Sequence, residues 1–159
     1  VEVTIRAFKV VKTFDLSQTD GKELPTIGPS ELVGNIEGYP KLLQALQEIS
    51  PVPVSFELID GDAKGFYHLE DKKIVVQDGM SEVQTIKTLL HEMAHQKLHD
   101  KDNVPEAKDI SRNGKEVEAE SVAYVVCQHY GINTSDYSFS YVAGWSEGKE
   151  TPELKASLK

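Results

Sequence analysis

The sequence predicts an α+β fold: a small, mostly antiparallel sheet followed by helices. Three observations carry this. Before residue 78, apolar residues alternate with polar ones in short runs, the period of half-buried strands. From Ser81 onward, apolar positions recur at three- and four-residue spacing, the period of a helix with one buried stripe. The two patterns are segregated along the chain, apart from one early helix, as in α+β architectures.

In chain order, Val1, Val3 and Ile5 alternate with Glu2, Thr4 and Arg6 as a strand, and Phe8–Phe14 continues in extended style. Thr19-Asp20-Gly21-Lys22 is a turn, and residues 15–39 read as a connecting segment with a short helical turn at Ser30–Val33. Pro40 suits a first helical position, and Leu42, Leu43, Leu46 and Ile49 form one stripe, so a helix is expected over 40–49, ended by Pro51. Val52, Val54, Phe56 and Leu58 alternate as a strand. Gly65–Leu69 and Lys73–Gln77 read as a hairpin turning near Glu70-Asp71. The strongest helix follows, opened by the capping box Ser81-x-x-Gln84 and striped by Val83, Ile86, Leu90, Met93 and Leu98. A polar loop over 100–112 leads to a helix from about Lys115 to Tyr130, with Gly131 placed to end it. Val117, Val122, Ala123, Val125 and Val126 surround much of that helix and predict a core position. Asp136–Trp145 and the stretch from Pro152 are the remaining helices.

Bulk properties limit the function classes. The chain has 159 residues, 39% hydrophobic and 27% charged, which fits one soluble domain. No run approaches the roughly 20 apolar residues that cross a bilayer, so no membrane partner is expected. The start alternates like a strand and lacks the apolar block of a signal peptide. One cysteine, Cys127, allows no internal disulfide and suits a reducing, cytoplasmic compartment. The net charge of −9 argues against this segment gripping a phosphate backbone and leaves open a basic or peptidic partner. The first residue is Val and the last residues stop inside a helical pattern, so the chain reads as part of a longer polypeptide.

The chemistry concentrates at His91-Glu92-Met93-Ala94-His95. On a helix, residues four apart share a face about one turn apart, which lets two imidazoles hold one tetrahedral Zn²⁺. Glu92, beside the first imidazole, can reach a water at such a metal and act as general base. Taken alone the motif arises by chance on polar helix faces, where the histidines are simply solvated. Here the next helix opens with Glu116 and Glu120, also four apart. One of them can ligate the metal while the other hydrogen-bonds a ligand histidine. Glu116 is the preferred ligand and Glu120 the fallback. Asn113-x-x-Glu116 offers a competing reading, in which Glu116 only closes a capping box. Glu118, about 200° around the helix from Glu116, is expected in solvent.

Other residues have plainer expectations. His99 drifts about 80° from His91 and is expected as an exposed helix-end histidine. His129 faces away from Glu120, and His68 is a solvated strand histidine. Tyr124, one turn past Glu120, is either a core tyrosine or a donor to an oxyanion during catalysis. Cys127 is expected in the core. Tyr137, Phe139, Tyr141 and Trp145 form the packing face of their helix. Lys73–Gln77 or its partner strand is a candidate edge for pairing with an extended peptide.

At these residues the chain resembles the zincin-like metallopeptidases of the glutamate-zincin group, whose pattern is His-Glu-x-x-His followed by Glu-x-x-x-Asp/Asn/Glu on the next helix. Glu116-Val-Glu-Ala-Glu120 matches the second element. The resemblance implies Glu116 as third ligand, Glu120 as the partner of a ligand histidine, and a sheet packed on the motif-bearing helix and the glutamate-bearing helix. A closer resemblance is to the peptidase-like half of ArdC-type antirestriction proteins from conjugative elements, akin to the ImmA/IrrE metallopeptidases. It rests on Phe14–Gly21, Thr85–His95, Lys115–Ala123 and Tyr141–Trp145. It implies a bacterial mobile-element protein with a single-stranded-DNA-binding domain ahead of this segment. Residues 1–39 would then be the tail of that domain plus a connection, and 40–159 the metallopeptidase domain, cut short at its C-terminus. Nucleic acid would be contacted through the missing part. Two functions compete: zinc-dependent hydrolysis of a protein or peptide substrate, and a non-catalytic, acidic, zinc-stabilised module that binds a restriction enzyme or other protein.

Overall fold

The computed structural model describes residues 31–104 and 110–146, with backbone alone over 141–146. Its elements, in order, are α1 (Tyr39–Ile49), β1 (Val54–Glu57), β2 (Gly65–His68), β3 (Lys73–Gln77), α2 (Glu82–His99), α3 (Arg112–His129) and α4 (Ser135–Ser146). The α+β class expected from the sequence is present, as a three-stranded sheet with four helices among the described residues. The strand expected over 1–14 and the helix expected from Pro152 lie outside the described residues.

Residues 31–36 are not the helical turn expected at Ser30–Val33; Ser30 itself is outside the described residues. This segment runs irregularly along the start of α2, which satisfies its backbone. The Leu32 N–H donates to Gln84 Oε1 at 3.0 Å, the Ile36 N–H donates to Glu82 Oε2 at 2.6 Å, and the Ser81 hydroxyl donates to the Leu32 carbonyl. The expected capping box is therefore half formed. Ser81 Oγ accepts from the Gln84 N–H at 3.1 Å, but the Gln84 side chain serves Leu32 and Thr88 instead of returning to Ser81.

Helix α1 packs Leu42, Leu43 and Leu46 on the core, whereas Ile49, expected on the same stripe, is 69% exposed. It is the last residue of the helix.

The sheet departs from the mostly antiparallel expectation. Its order is β1-β3-β2, with β2 antiparallel to β3 and β1 parallel to it. The hairpin forms as read, with Phe66 opposite Val75. The chain from β1, however, passes over to β2 first, so β3 inserts between them. β3 is then paired on both sides and covered on both faces, which explains why Ile74, Val75 and Val76 form an unbroken apolar run with at most 1% exposure.

Helix α2 lies on the sheet and α3 lies on α2, so α2 is buried nearly all round. Ile86 and Leu89 are fully buried, and so are polar residues such as Gln84, Lys87 and Thr88. Helix α3 begins at Arg112, earlier than expected, because Ser111 caps it by accepting from the Gly114 N–H at 3.1 Å. Gly131 follows α3 at φ 73°, the left-handed conformation expected of it. Val117, Ala123 and Cys127 of α3 are buried, but Val122 and Val125 are exposed, since α2 and α4 cover only part of its circumference. Phe139 of α4 is likewise 59% exposed, contrary to its expected packing role.

The β2–β3 hairpin is tied to the end of α2. The Tyr67 hydroxyl donates to Asp100 Oδ2 at 2.7 Å, and Lys72 Nζ pairs with the same carboxylate at 2.9 Å. This fixes β2 alongside the second half of α2. The two elements touch closely: a Cβ added at Gly65 would lie 2.7 Å from Thr88 Cγ2 and 3.0 Å from the Val75 carbonyl oxygen.

Candidate metal centre

Helix α2 presents His91 and His95 on one face, with ring centroids 4.7 Å apart and Nε2 atoms 3.0 Å apart. Helix α3 brings Glu116 against both. Its carboxylate oxygens lie 3.4 Å from His91 Nε2 and 3.7 Å from His95 Nε2. Ligand atoms of all three residues fall within 4.8 Å of one another, a group that could hold a metal ion. The alternative role for Glu116, closing a capping box with Asn113, does not form, because the cap of α3 is Ser111.

The donor chemistry fits a cation. Burial lowers the pKa of the His91 imidazole, but the Glu116 and Glu120 carboxylates outweigh it and push the group up to about 9. Burial raises Glu116, and the facing His91 and His95 rings outweigh that and hold it well below the usual carboxylate range. The pocket thus favours positive charge at the meeting point of these three side chains.

Glu92 is buried next to His91, 7% exposed. Its pKa is raised, by burial first, with His91 and His95 opposing, Glu116 adding, and the Tyr67 backbone N–H opposing. It therefore sits in the centre as a carboxyl that holds a proton more readily than an ordinary glutamate.

Glu120 is fully buried behind His91. Its Oε2 faces His91 Nδ1 at 3.1 Å and Lys87 Nζ at 2.6 Å, while Oε1 accepts from the Ser138 hydroxyl at 2.7 Å. Lys87 also lies over the Tyr137 ring, 4.0 Å from its centroid. Burial, and Glu120 after it, pushes the Tyr137 hydroxyl up to about 12.

The histidine expected at an exposed helix end is instead buried. His99 is 6% exposed, and its Nδ1 lies 2.8 Å from His95 Nδ1. Its Nε2 lies 2.9 Å from Glu118 Oε2, so Glu118 is not the solvated residue expected from its helical angle. The angular argument set both apart from the group formed by His91, His95 and Glu116. It missed that α2 and α3 lie together, so that their adjacent faces also meet. Burial lowers the His99 pKa, against the opposing pull of Glu118.

These residues line a cleft of about 610 Å³. Its walls come from residues 62–67 and Leu69 around β2, from Lys87, Thr88, His91, Glu92, His95 and His99 of α2, from Arg112, Lys115 and Glu116 of α3, and from Tyr137 of α4. Among the described residues, the tyrosines lining it are Tyr67 and Tyr137. Tyr124 packs on Phe139 instead, with ring centroids 5.1 Å apart. Cys127 is fully buried in the core, where burial pushes its thiol up to about 12. His68 is half-exposed and contacts Asp71. Since β3 is paired on both sides, an added strand could join the sheet only at β1 or β2, and β2 borders the cleft.

Lys87 and Ser138 gained no role from the sequence, and Tyr137 only that of helix packing. Lys87 carries a weak signal, since it lies one turn before His91 on the same helical face. The other two enter from a separate helix, and nothing local marks them.

The chain is similar to an uncharacterized protein of Bacillus anthracis, 31% identical over an alignment of 173 positions that takes in 98% of this chain. The chain spans 29% of that relative's length. No protein-family model matches the chain, and no solved structure matches it. In the described residues no helix is long and apolar enough to cross a membrane.

Proposed function

We propose that this chain is a zinc-dependent metallopeptidase domain of the glutamate-zincin type, hydrolysing peptide bonds in a protein or peptide. The observation that carries the reading is the convergence of His91, His95 and Glu116 within 4.8 Å, with Glu92 buried beside them at an open cleft. Two imidazoles and one carboxylate are the donor set of zinc hydrolases, which leave one position for water or substrate. Zinc held there supplies Lewis-acid chemistry, acidifying water and polarising a carbonyl.

The protein's own residues do the rest. Glu120 orients His91 through Nδ1. The Glu92 carboxylate takes a proton from the attacking water and returns it to the leaving amine, a task suited to its place beside His91 at the cleft. An extended substrate pairs along β2, whose residues border the cleft beside Glu92. The larger setting, an antirestriction-type protein of a mobile element in the bacterial cytoplasm, rests on the resemblance of the flanking stretches and belongs to the same proposal.

The test is Glu92→Gln. The variant is expected to keep the parent's zinc stoichiometry and to cleave a peptide turned over by the parent about 10²–10⁴-fold more slowly. Equal cleavage rates would reject the mechanism. Full-length protein that protects DNA from restriction equally with and without Glu92→Gln would favour the binding-module reading instead.

A further inference from the structure

We infer that His99 and Glu118 act as a two-residue relay that sets the tautomer of His95 and so prepares it as a metal ligand; this rests on the metal reading above. A histidine that ligates through Nε2 carries its proton on Nδ1, and that N–H requires an acceptor. His91 has a carboxylate there, Glu120 at 3.1 Å. His95 has another imidazole, with His99 Nδ1 at 2.8 Å.

Two ring nitrogens sit at that distance when one is N–H and the other a lone pair. There are two polarities, and Glu118 separates them. If His95 donates, His99 Nδ1 is bare and its proton is on Nε2, where Glu118 Oε2 accepts at 2.9 Å. His95 Nε2 is then bare and faces His91 and Glu116, as a ligand must. If His99 donates instead, its bare Nε2 opposes a carboxylate, lone pair against lone pair. His95 would then carry its proton on Nε2, blocking the metal side. Between the two neutral forms of His99, the carboxylate thus selects the first polarity from one ring away, and a metal on His95 Nε2 selects the same one against a doubly protonated His99. His99 is largely buried at 6% exposure although it borders the cleft, and both of its ring nitrogens already face protein partners, His95 and Glu118. His99 and Glu118 are positioning residues in this account, since neither touches the metal position.

The experiment titrates Zn²⁺ into the metal-free full chain against a competing chelator, for the parent, His99→Asn and His99→Gln. An asparagine amide oxygen stands near the place of the imidazole Nδ1 and can still accept from His95. The glutamine amide stands nearer the place of Nε2 and cannot. His99→Gln is therefore expected to weaken zinc binding about 10–100-fold, with His99→Asn retaining most of the affinity. Simple filling of space predicts the opposite order, because glutamine is closer to histidine in volume. Nitrogen NMR of the zinc-loaded parent should show the Nδ1–H tautomer for His95 and the Nε2–H tautomer for His99. Parental affinity in His99→Gln, or a protonated Nδ1 on His99, would overturn the relay. A parent that binds no zinc would overturn the metal reading and the relay with it. If His99→Gln fails to fold, the His99→Asn titration and the parent's spectrum decide, a bare His99 Nδ1 with affinity retained supporting the relay.

Discussion

At the scale of single residues, Glu120 connects three helices through one buried carboxylate. One carboxylate meets His91, Lys87 and Ser138, and so ties α2, α3 and α4 together in the interior. Removing it takes a negative charge away from the buried Lys87 ammonium and the acceptor away from His91. Breaking a buried pair on one side costs about 3–5 kcal/mol, and loss of a ligand's outer partner costs about 10–100-fold in metal affinity. Glu120→Ala is therefore expected to lower the urea midpoint strongly and also to weaken zinc binding, the two being read by denaturant unfolding and chelator competition. Unchanged stability would show that Lys87 is compensated elsewhere. His91, Glu92 and His95 were legible in the sequence because their relation is set inside one helix. Glu116 and Glu120 were legible as a pair for the same reason. Which of them meets the metal side was left open by spacing alone and depends on how α3 lies on α2.

Among the elements, β2 shows best how packing shapes the site. It is an edge strand of four residues that borders the cleft, held to α2 by the Tyr67–Asp100 bond at one end and by close contact at Gly65 at the other. Gly65→Ala would set a methyl group against the Thr88 side chain and the Val75 backbone carbonyl, so β2 would have to move away from them. Overpacking of this kind costs about 1–3 kcal/mol. The expected result is a lower melting temperature and a larger fractional loss of peptide hydrolysis than of zinc affinity, because β2 shifts while the ligand helices stay in place. Equal losses of both would place the damage in the helices instead. The hairpin itself was readable from alternation and turn residues. Its position was not: the sequence carries the pairing of β2 with β3 but not the insertion of β3 beside β1, which is a long-range choice.

For the whole molecule, a metal ion held as proposed and pH would act on the same nitrogen of His91. Without metal, the folded-state pKa of His91 is raised from 6.5 to about 9. A raised histidine pKa contributes stability that is fully present below about 6.5 and lost as pH rises through about 9. A bound metal displaces that proton, so its contribution grows over the same window as proton competition falls. The melting temperature of zinc-loaded protein should exceed that of metal-free protein by an amount that widens from pH 6.5 to 9. With free zinc at about 100 times its dissociation constant the gain is about 2.7 kcal/mol, on the order of 5–10 °C for a domain of this size. Differential scanning calorimetry with zinc and with chelator measures both; a gap that stays constant with pH would exclude proton–metal competition at His91.

The sequence by itself determined the α+β class, the motif-bearing helix with its Ser81 cap, and the two carboxylates at matching spacing on the next helix. These are local properties: helical rise and rotation follow from neighbouring residues, and so do the faces they share. The tertiary structure decided what locality cannot reach. It made β3 central with one parallel neighbour, moved Tyr137 into the cleft and left Tyr124 outside it, and buried His99 against Glu118. Each of these depends on which surfaces of separate elements come into contact, and burial by a distant partner leaves no mark in the spacing of the residues it covers. The motif at His91–His95 marks, from sequence alone, two members of the group that could hold a metal ion. The packing around it supplied the partners that face the remaining nitrogens, Glu120 for His91 and His99 for His95.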